Sequence, residues 1–205
     1  MDERTLYQLI NAMSAALESR DFYTATHQNR VSNIARLIAQ ELQLPKEKIE
    51  QIRLSGILHD IGKLGIPTAI LSKAGKLRKE EFELIKQHSI IGEEILQHID
   101  FTFPLATIVR QHHERLDGSG YPDGLVGDDI LLEARIIAVA DVVDSMSSSR
   151  AYRGSLGISA AMDELNKNSG VLYDSNVVDA CYQVYKDNKI NDLHSNDMWG
   201  SVRKQ

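Results

Sequence analysis

The sequence is poor in cysteine: Cys181 stands alone, so no internal disulfide can form and a cysteine-rich zinc module is excluded. A lone thiol suits a reducing compartment, and a cytoplasmic location is expected. Long apolar runs are missing too. None approaches the roughly 18 residues that a membrane span needs, and the start Met1-Asp2-Glu3-Arg4 lacks the pattern of a signal peptide. No membrane insertion is therefore expected. There is no excess of positive charge. The formal charge is -6, which makes a nucleic-acid polymer a poor partner, although a small anionic ligand stays open where cations gather locally. Repeats, low-complexity tracts and interdomain linkers are absent. So is any clean alternating strand, with Ile61 to Ile70 leaving room for a short one.

What is present is core material and helical periodicity. Hydrophobic residues make up 42% of the 205, and a chain of this length buries roughly 70% of the surface that its unfolded form exposes. Leu6, Ile10, Met13 and Leu17 mark one face of a first helix over Thr5 to Ser19. They cover too few heptads for a coiled-coil seam, so packing on the core is the preferred reading. Val31, Ile34, Leu37, Ile38 and Leu42 mark a second helix after the cap-like Thr24 and Thr26. A third starts at Pro45 and runs to the His59 region through Ile49, Ile52 and Ile57. Further helices are predicted over Glu80–Ile99, Pro104–His112, Leu131–Ser147, Ser159–Lys167 and Ser175–Lys189. Glycine and proline mark the loops Gly62–Pro67, Lys73–Lys76 and above all Asp117–Gly127. The expected fold is a single compact all-α domain of about seven or more helices.

Seven histidines are present, and five of them fall where a helix begins, ends or faces inward: His27, His59, His88, His112 and His113. Asp60 follows His59 directly. Asp141 lies inside the apolar segment Ile136–Val143, where a carboxylate is costly unless paired or bound to a metal. Arg135 is one candidate partner for it. Imidazoles together with carboxylates suit manganese, iron, nickel or zinc rather than calcium. Taken singly, a helical histidine more often satisfies a backbone carbonyl, and His98 and His194 keep that reading.

The ensemble is more specific than its members. The order His27, His59-Asp60, His88, His112-His113, Asp141 resembles the HD-GYP family, a branch of the HD phosphohydrolase superfamily. The likeness extends to three further stretches. One is His59-Asp60-Ile61-Gly62-Lys63-Leu64-Gly65-Ile66-Pro67, and another is His112-His113-Glu114-Arg115-Leu116-Asp117-Gly118-Ser119-Gly120-Tyr121-Pro122. The third runs through Ala140-Asp141-Val142-Val143-Asp144 to Arg150-Ala151-Tyr152-Arg153. The resemblance as a whole covers about Phe22 to Tyr185.

The resemblance implies a helical domain that hydrolyses cyclic di-GMP to pGpG, with GMP as a further product left open, by a hydroxide activated between two metals. Residues 1–20 would be an N-terminal helix or connector, 21–190 the phosphodiesterase domain and 191–205 a C-terminal tail. The implied ligands are His27, His59, Asp60, His88, His112, His113 and Asp141, with Asp60 bridging two divalent ions. Iron or manganese come first as metals, nickel or zinc next. Gly120, Tyr121 and Pro122 would line the substrate groove. Lys63, Arg150 and Arg153 would hold phosphate, with Lys63 also stabilising charge in the reaction. Asp144 would support the attacking water. Tyr23 stands where some members carry a glutamate that helps hold a third metal, so no third metal is expected.

Three alternatives stay open: another cyclic dinucleotide such as cyclic GMP-AMP, a non-catalytic nucleotide- or protein-binding signalling module, and a signalling partner reached through the Gly-Tyr-Pro loop. A homodimer, and a longer regulated protein of which this is a part, stay open as well. Two bound divalent cations would leave the centre near one positive charge after Asp60, Asp141 and a hydroxide are counted, so a phosphodiester suits it despite the acidic chain.

Overall fold

The apolar periodicities become nine α-helices among the described residues of a computed structural model, which describes residues 3–18, 22–73, 75–148 and 156–190. They are α1 (Glu3–Glu18), α2 (Phe22–Glu41), α3 (Lys46–Leu58), α4 (Thr68–Leu71), α5 (Lys79–Leu96), α6 (Leu105–Gln111), α7 (Leu132–Ser147), α8 (Ile158–Lys167) and α9 (Ser175–Lys186). Two 3₁₀ turns, Ile61–Gly65 and Gly127–Asp129, complete the order. The chain is all-α, as its periodicity implies.

Two local expectations are corrected. Ile61 to Ile70 holds no strand: its backbone closes tight turns, Lys63 N–H to Asp60 O at 2.9 Å and Ile66 N–H to Lys63 O at 3.1 Å, while Ile61 and Ile66 bury their side chains. The second helix begins at Phe22, so Thr24 and Thr26 lie inside it and do not cap it. The tail expected over 191–205 lies outside the described residues.

Helix α2 runs through the larger core. Its Val31, Ile34, Ala35 and Ile38 pack with Ile136, Ile137, Val139 and Val143 of α7 and Val177, Val178 and Cys181 of α9, all buried. Each such large side chain contributes about 1.5–3 kcal/mol. A smaller cluster joins Ile10 of α1, Leu54 and Leu58 of α3, Ile61, Leu96 of α5, and Leu105 and Val109 of α6. With Ile10 and Leu17 buried within the chain, α1 packs on the core through this face.

The two clusters are held close by small residues. A Cβ on Gly56 of α3 would lie 2.7 Å from Ser32 Cα of α2. One on Gly62 would lie 1.8 Å from the His88 carbonyl oxygen of α5. Only hydrogen fits at either contact, so the backbones meet directly and bring their polar ends to one place.

Candidate metal centre

Local helix geometry orients three of the histidines before any long-range contact forms. His59 caps α3, and its Nδ1 donates to the Gly56 carbonyl at 2.8 Å. His88 in α5 repeats this with Ile85 O at 2.7 Å, and His112 after α6 with Val109 O at 2.6 Å. Each ring folds back on the carbonyl three residues earlier. A carbonyl can only accept, so the proton sits on Nδ1 and the Nε2 lone pair is left for an electrophile.

These Nε2 atoms converge on Asp60. His59 Nε2 lies 3.4 Å from Asp60 Oδ2, and His88 Nε2 lies 3.5 Å from Asp60 Oδ1. His27 Nε2 lies 3.7 Å from Asp60 Oδ2 and 3.3 Å from Asp141 Oδ1. The donor atoms fall into overlapping groups: His27, His59 and Asp141 on one side, His88, His112 and His113 on the other, and His59, Asp60 and His112 between them. The structure thus brings together all seven residues that the resemblance implied as ligands. Asp60 turns one oxygen toward each side.

The donors fit a divalent metal on the structure's own evidence. His88 Nε2 and His112 Nε2 face each other at 3.3 Å although both rings place their proton on Nδ1, so two lone pairs point into one space. His59 Nε2 is buried with no hydrogen-bond partner. A cation resolves both problems; burial without one leaves them costly. Imidazole nitrogens and carboxylate oxygens without thiolate are the donor set of a borderline divalent ion.

Protonation follows the surroundings. Burial holds His59 and His88 below the ordinary imidazole range, and holds His112 and His113 well below it with help from neighbouring rings. They are therefore neutral and ready to ligate. His27 goes the other way. Burial alone would lower it, but Asp141 and Asp144 outweigh that and raise it to about 9. Burial would raise Asp60, yet Lys63 and the nearby imidazoles keep its carboxyl well below the usual carboxylate range.

Other predicted residues are placed as follows. Lys63 Nζ sits 2.5 Å from Asp60 Oδ2, at the rim of the cluster. Asp144 is fully buried behind His27: Oδ2 meets His27 Nδ1 at 2.7 Å, and Arg30 binds both oxygens. Its oxygens are engaged by the His27 ring and Arg30. Asp141 does not pair with Arg135, which bonds Asp128 and Asp174 instead. The Tyr121 ring packs on His113 at 4.7 Å with the Lys86 ammonium 5.4 Å from its centroid, so its faces are already in use. Gly120 lies flat on the chain: a Cβ there would lie 2.4 Å from both Glu114 Cα and Arg115 N. Pro122 is half-buried in the same loop. Arg150 and Arg153 lie outside the described residues, as does the Tyr23 side chain.

The sequence reading missed three residues that position the site. Arg30 stands one turn after His27, a spacing that signals a shared helix face. Glu114 is buried, and its carboxylate accepts the Asp123 and Leu125 N–H groups at 2.7 and 3.1 Å, tying the glycine-rich loop to the His112-His113 turn. Arg110 clamps the outer side of that loop through Asp123 at 2.7 Å and bonds Glu93 of α5 at 2.6 Å.

A helical domain that gathers five histidines and two aspartates around a buried carboxylate defines a class of metal-binding helical domains. A family model described as HD domain matches residues 11–177. The chain belongs to the HD domain family, in its HD-GYP branch.

Among curated proteins it is 43% identical over 175 residues to the cyclic di-GMP phosphodiesterase response regulator RpfG of Xanthomonas campestris, covering 84% of this chain and 46% of that protein. It is 38% identical over 168 residues to a 3'3'-cGAMP-specific phosphodiesterase of Vibrio cholerae, covering 82% of this chain and 36% of that protein. The chain thus spans less than half the length of these two relatives. Among solved structures, an HDG"Y"P protein from Bdellovibrio bacteriovorus has the same fold, with a TM-score of 0.65 and 23% identity over 85% of this chain and 57% of that one. No described helix is long and apolar enough to cross a membrane.

Proposed function

We propose that residues 21–190 form a metal-dependent phosphodiesterase that hydrolyses cyclic di-GMP to pGpG, with iron or manganese, two ions per chain, as the working metals. The observation that carries this reading is the arrangement around Asp60: two groups of three donors, one facing each carboxylate oxygen. His27, His59 and Asp141 would hold one ion, His88, His112 and His113 the other, with Asp60 shared between them. Divalent ions held so supply Lewis acidity to a phosphodiester and to the water that attacks it.

The chain's own residues do the rest. The Nδ1–H bonds to the Gly56, Ile85 and Val109 carbonyls fix the ligating tautomers. Asp144 and Arg30 hold the His27 ring, so Asp144 is a positioning residue. Lys63 is the cation at the rim, 2.5 Å from Asp60, placed to meet charge that develops on phosphoryl oxygens. Glu114 and Arg110 fasten the loop that carries Gly120, Tyr121 and Pro122 against the site, where its Tyr121 hydroxyl edge and Pro122 would border the dinucleotide.

The test is turnover of cyclic di-GMP by protein loaded anaerobically with ferrous iron or manganese, read as pGpG by chromatography, with Asp60→Ala as the control. Absence of product with every metal would remove the catalytic reading in favour of a binding module. A second substrate, 3'3'-cyclic GMP-AMP, is favoured by the similarity to the Vibrio cholerae protein. Competition between the two dinucleotides decides which is preferred.

A further inference from the structure

Arg115 follows His113 by two residues, yet its guanidinium takes no part in the ligand cluster. Its Cζ stands 5.3 Å from the centroid of the buried Tyr173 ring, and one terminal nitrogen donates to the Glu114 carbonyl at 2.8 Å. The stack, that bond and a hydrogen bond to the Tyr173 side chain still leave several of its five N–H donors uncommitted.

Among the described residues no carboxylate lies within the 4.0 Å ion-pair distance of it. By contrast Arg30, Arg53, Arg78, Arg110 and Arg135 are each paired with an acid. Asp117, the nearest acid along the chain, spends its Oδ1 on the Ser119 amide and hydroxyl. A half-buried guanidinium without an acid, preoriented on an aromatic face, is built to receive an anion from outside the chain. It is also close to the site. Gly120 rests on the Arg115 backbone, and the Arg115 charge adds to burial, His112 and His88 in holding His113 well below its ordinary range.

We propose that Arg115, seated on Tyr173, is a substrate-binding residue that grips the second phosphate of the cyclic dinucleotide, the one that is not being cut. This rests on the reading of the chain as a cyclic-dinucleotide phosphodiesterase. The attacked phosphate belongs between the donors around Asp60, and Arg115 makes no contact with them. It therefore contributes to binding of a two-phosphate substrate and not to the chemistry of a one-phosphate diester.

The experiment compares wild type, Arg115→Gln and Arg115→Lys, each loaded with manganese, on cyclic di-GMP and on bis(para-nitrophenyl) phosphate, with metal content measured alongside. Loss of one charge-assisted contact predicts a KM for cyclic di-GMP raised about ten- to a hundredfold in Arg115→Gln. Small-diester turnover and metal stoichiometry should stay at wild-type levels. Arg115→Lys keeps the charge without the planar fork, and its KM should fall between the two. If Arg115→Gln loses metal or does not fold, Arg115→Lys carries the test: a raised KM at unchanged small-diester turnover supports the contact. An unchanged KM, or equal losses on both substrates with metal retained, overturns it. A wild type that cleaves the small diester but neither binds nor cleaves cyclic di-GMP removes the parent reading and this contact together. A wild type that cleaves both, matched by its variants, removes this contact alone.

Discussion

Gly62→Ala tests how the ligands are gathered, because it adds one methyl at the closest backbone contact near the centre. The new Cβ would sit 1.8 Å from the His88 carbonyl oxygen and 2.5 Å from Gly92 N, both backbone atoms of α5. A carbon–oxygen contact settles near 3.3 Å, so the turn and the helix must part by about 1.5 Å. That turn follows Asp60 directly, and α5 carries His88. Metal–ligand distances tolerate only about 0.2 Å, so the displacement far exceeds what the site can absorb. Overpacking of this kind costs about 1–3 kcal/mol or somewhat more, against about 5–15 kcal/mol for a whole domain. The fold should survive while the site fails.

The expected result is a folded protein that melts about 2–12 °C lower and retains little metal after dialysis against a weak chelator. Gly65→Ala is the control in the same turn. Its Cβ meets only side-chain atoms of Ile91, Cδ1 at 2.9 Å and Cγ2 at 3.1 Å, which can shift without moving backbone. Metal content should stay near wild type and melting should fall by less than about 4 °C. Melting curves and elemental analysis of both variants read the outcome. Gly62→Ala with the wild-type melting point and full metal content would refute the claim that this contact sets the distance from Asp60 to His88.

Three further outcomes follow from the same geometry. Asp144→Asn removes the carboxylate shared by His27 and Arg30; metal affinity should drop about 10–100-fold, measured by competition with a chelator, and wild-type affinity would place Asp144 elsewhere in the reaction. Glu114→Gln leaves one oxygen where the Asp123 and Leu125 amides now share two, so hydrogen exchange at those amides should quicken with metal content unchanged; equal protection in both proteins would show that another group anchors the loop. Burial pushes the Cys181 thiol from 9.0 up to about 12, which predicts negligible maleimide labelling of the native protein at pH 8 and full labelling in denaturant. The unfolded thiol ionises first as pH rises, so this group lowers stability above pH 9 by up to about 1.4 kcal/mol per pH unit and has no effect below it; rapid native labelling would contradict the packing of α9 on α2.

The helices were legible because each buries a stripe at helical spacing. The boundaries moved by a few residues where the signals were weak, as with Thr24 and Thr26, whose capping potential is overridden once α2 begins at Phe22. Asp141 was legible as a candidate ligand because a carboxylate amid Ile136–Val143 must find a partner. Asp144, one turn further along the same helix, was singled out only through the family resemblance, as support for the water, and its bond to His27 was not foreseen. A sequence position carries no direction, and only the packing of α7 on α2 shows that Asp141 takes the Nε2 side of His27 and Asp144 the Nδ1 side. Glu114 was hidden for a related reason: it reads as one polar residue of a loop, and its burial depends on the loop closing over it.

The same contrast explains how so many ligands from distant segments can be aligned. For His59, His88 and His112 the tautomer is decided by a carbonyl three residues back, so each helix delivers its imidazole already oriented. Tertiary packing then has to solve only distance, and the glycine contacts solve it. His27 takes its orientation from a carboxylate 117 residues away. An acid clamps the ring more strongly than a carbonyl but also favours the imidazolium, which is why His27 alone is raised while its companions are lowered. Arg30 offsets part of that effect by drawing charge from Asp144. The pair Arg30–Asp144 thus belongs to the design of the centre as much as the ligands do, because the arginine holds the carboxylate that in turn holds the His27 ring.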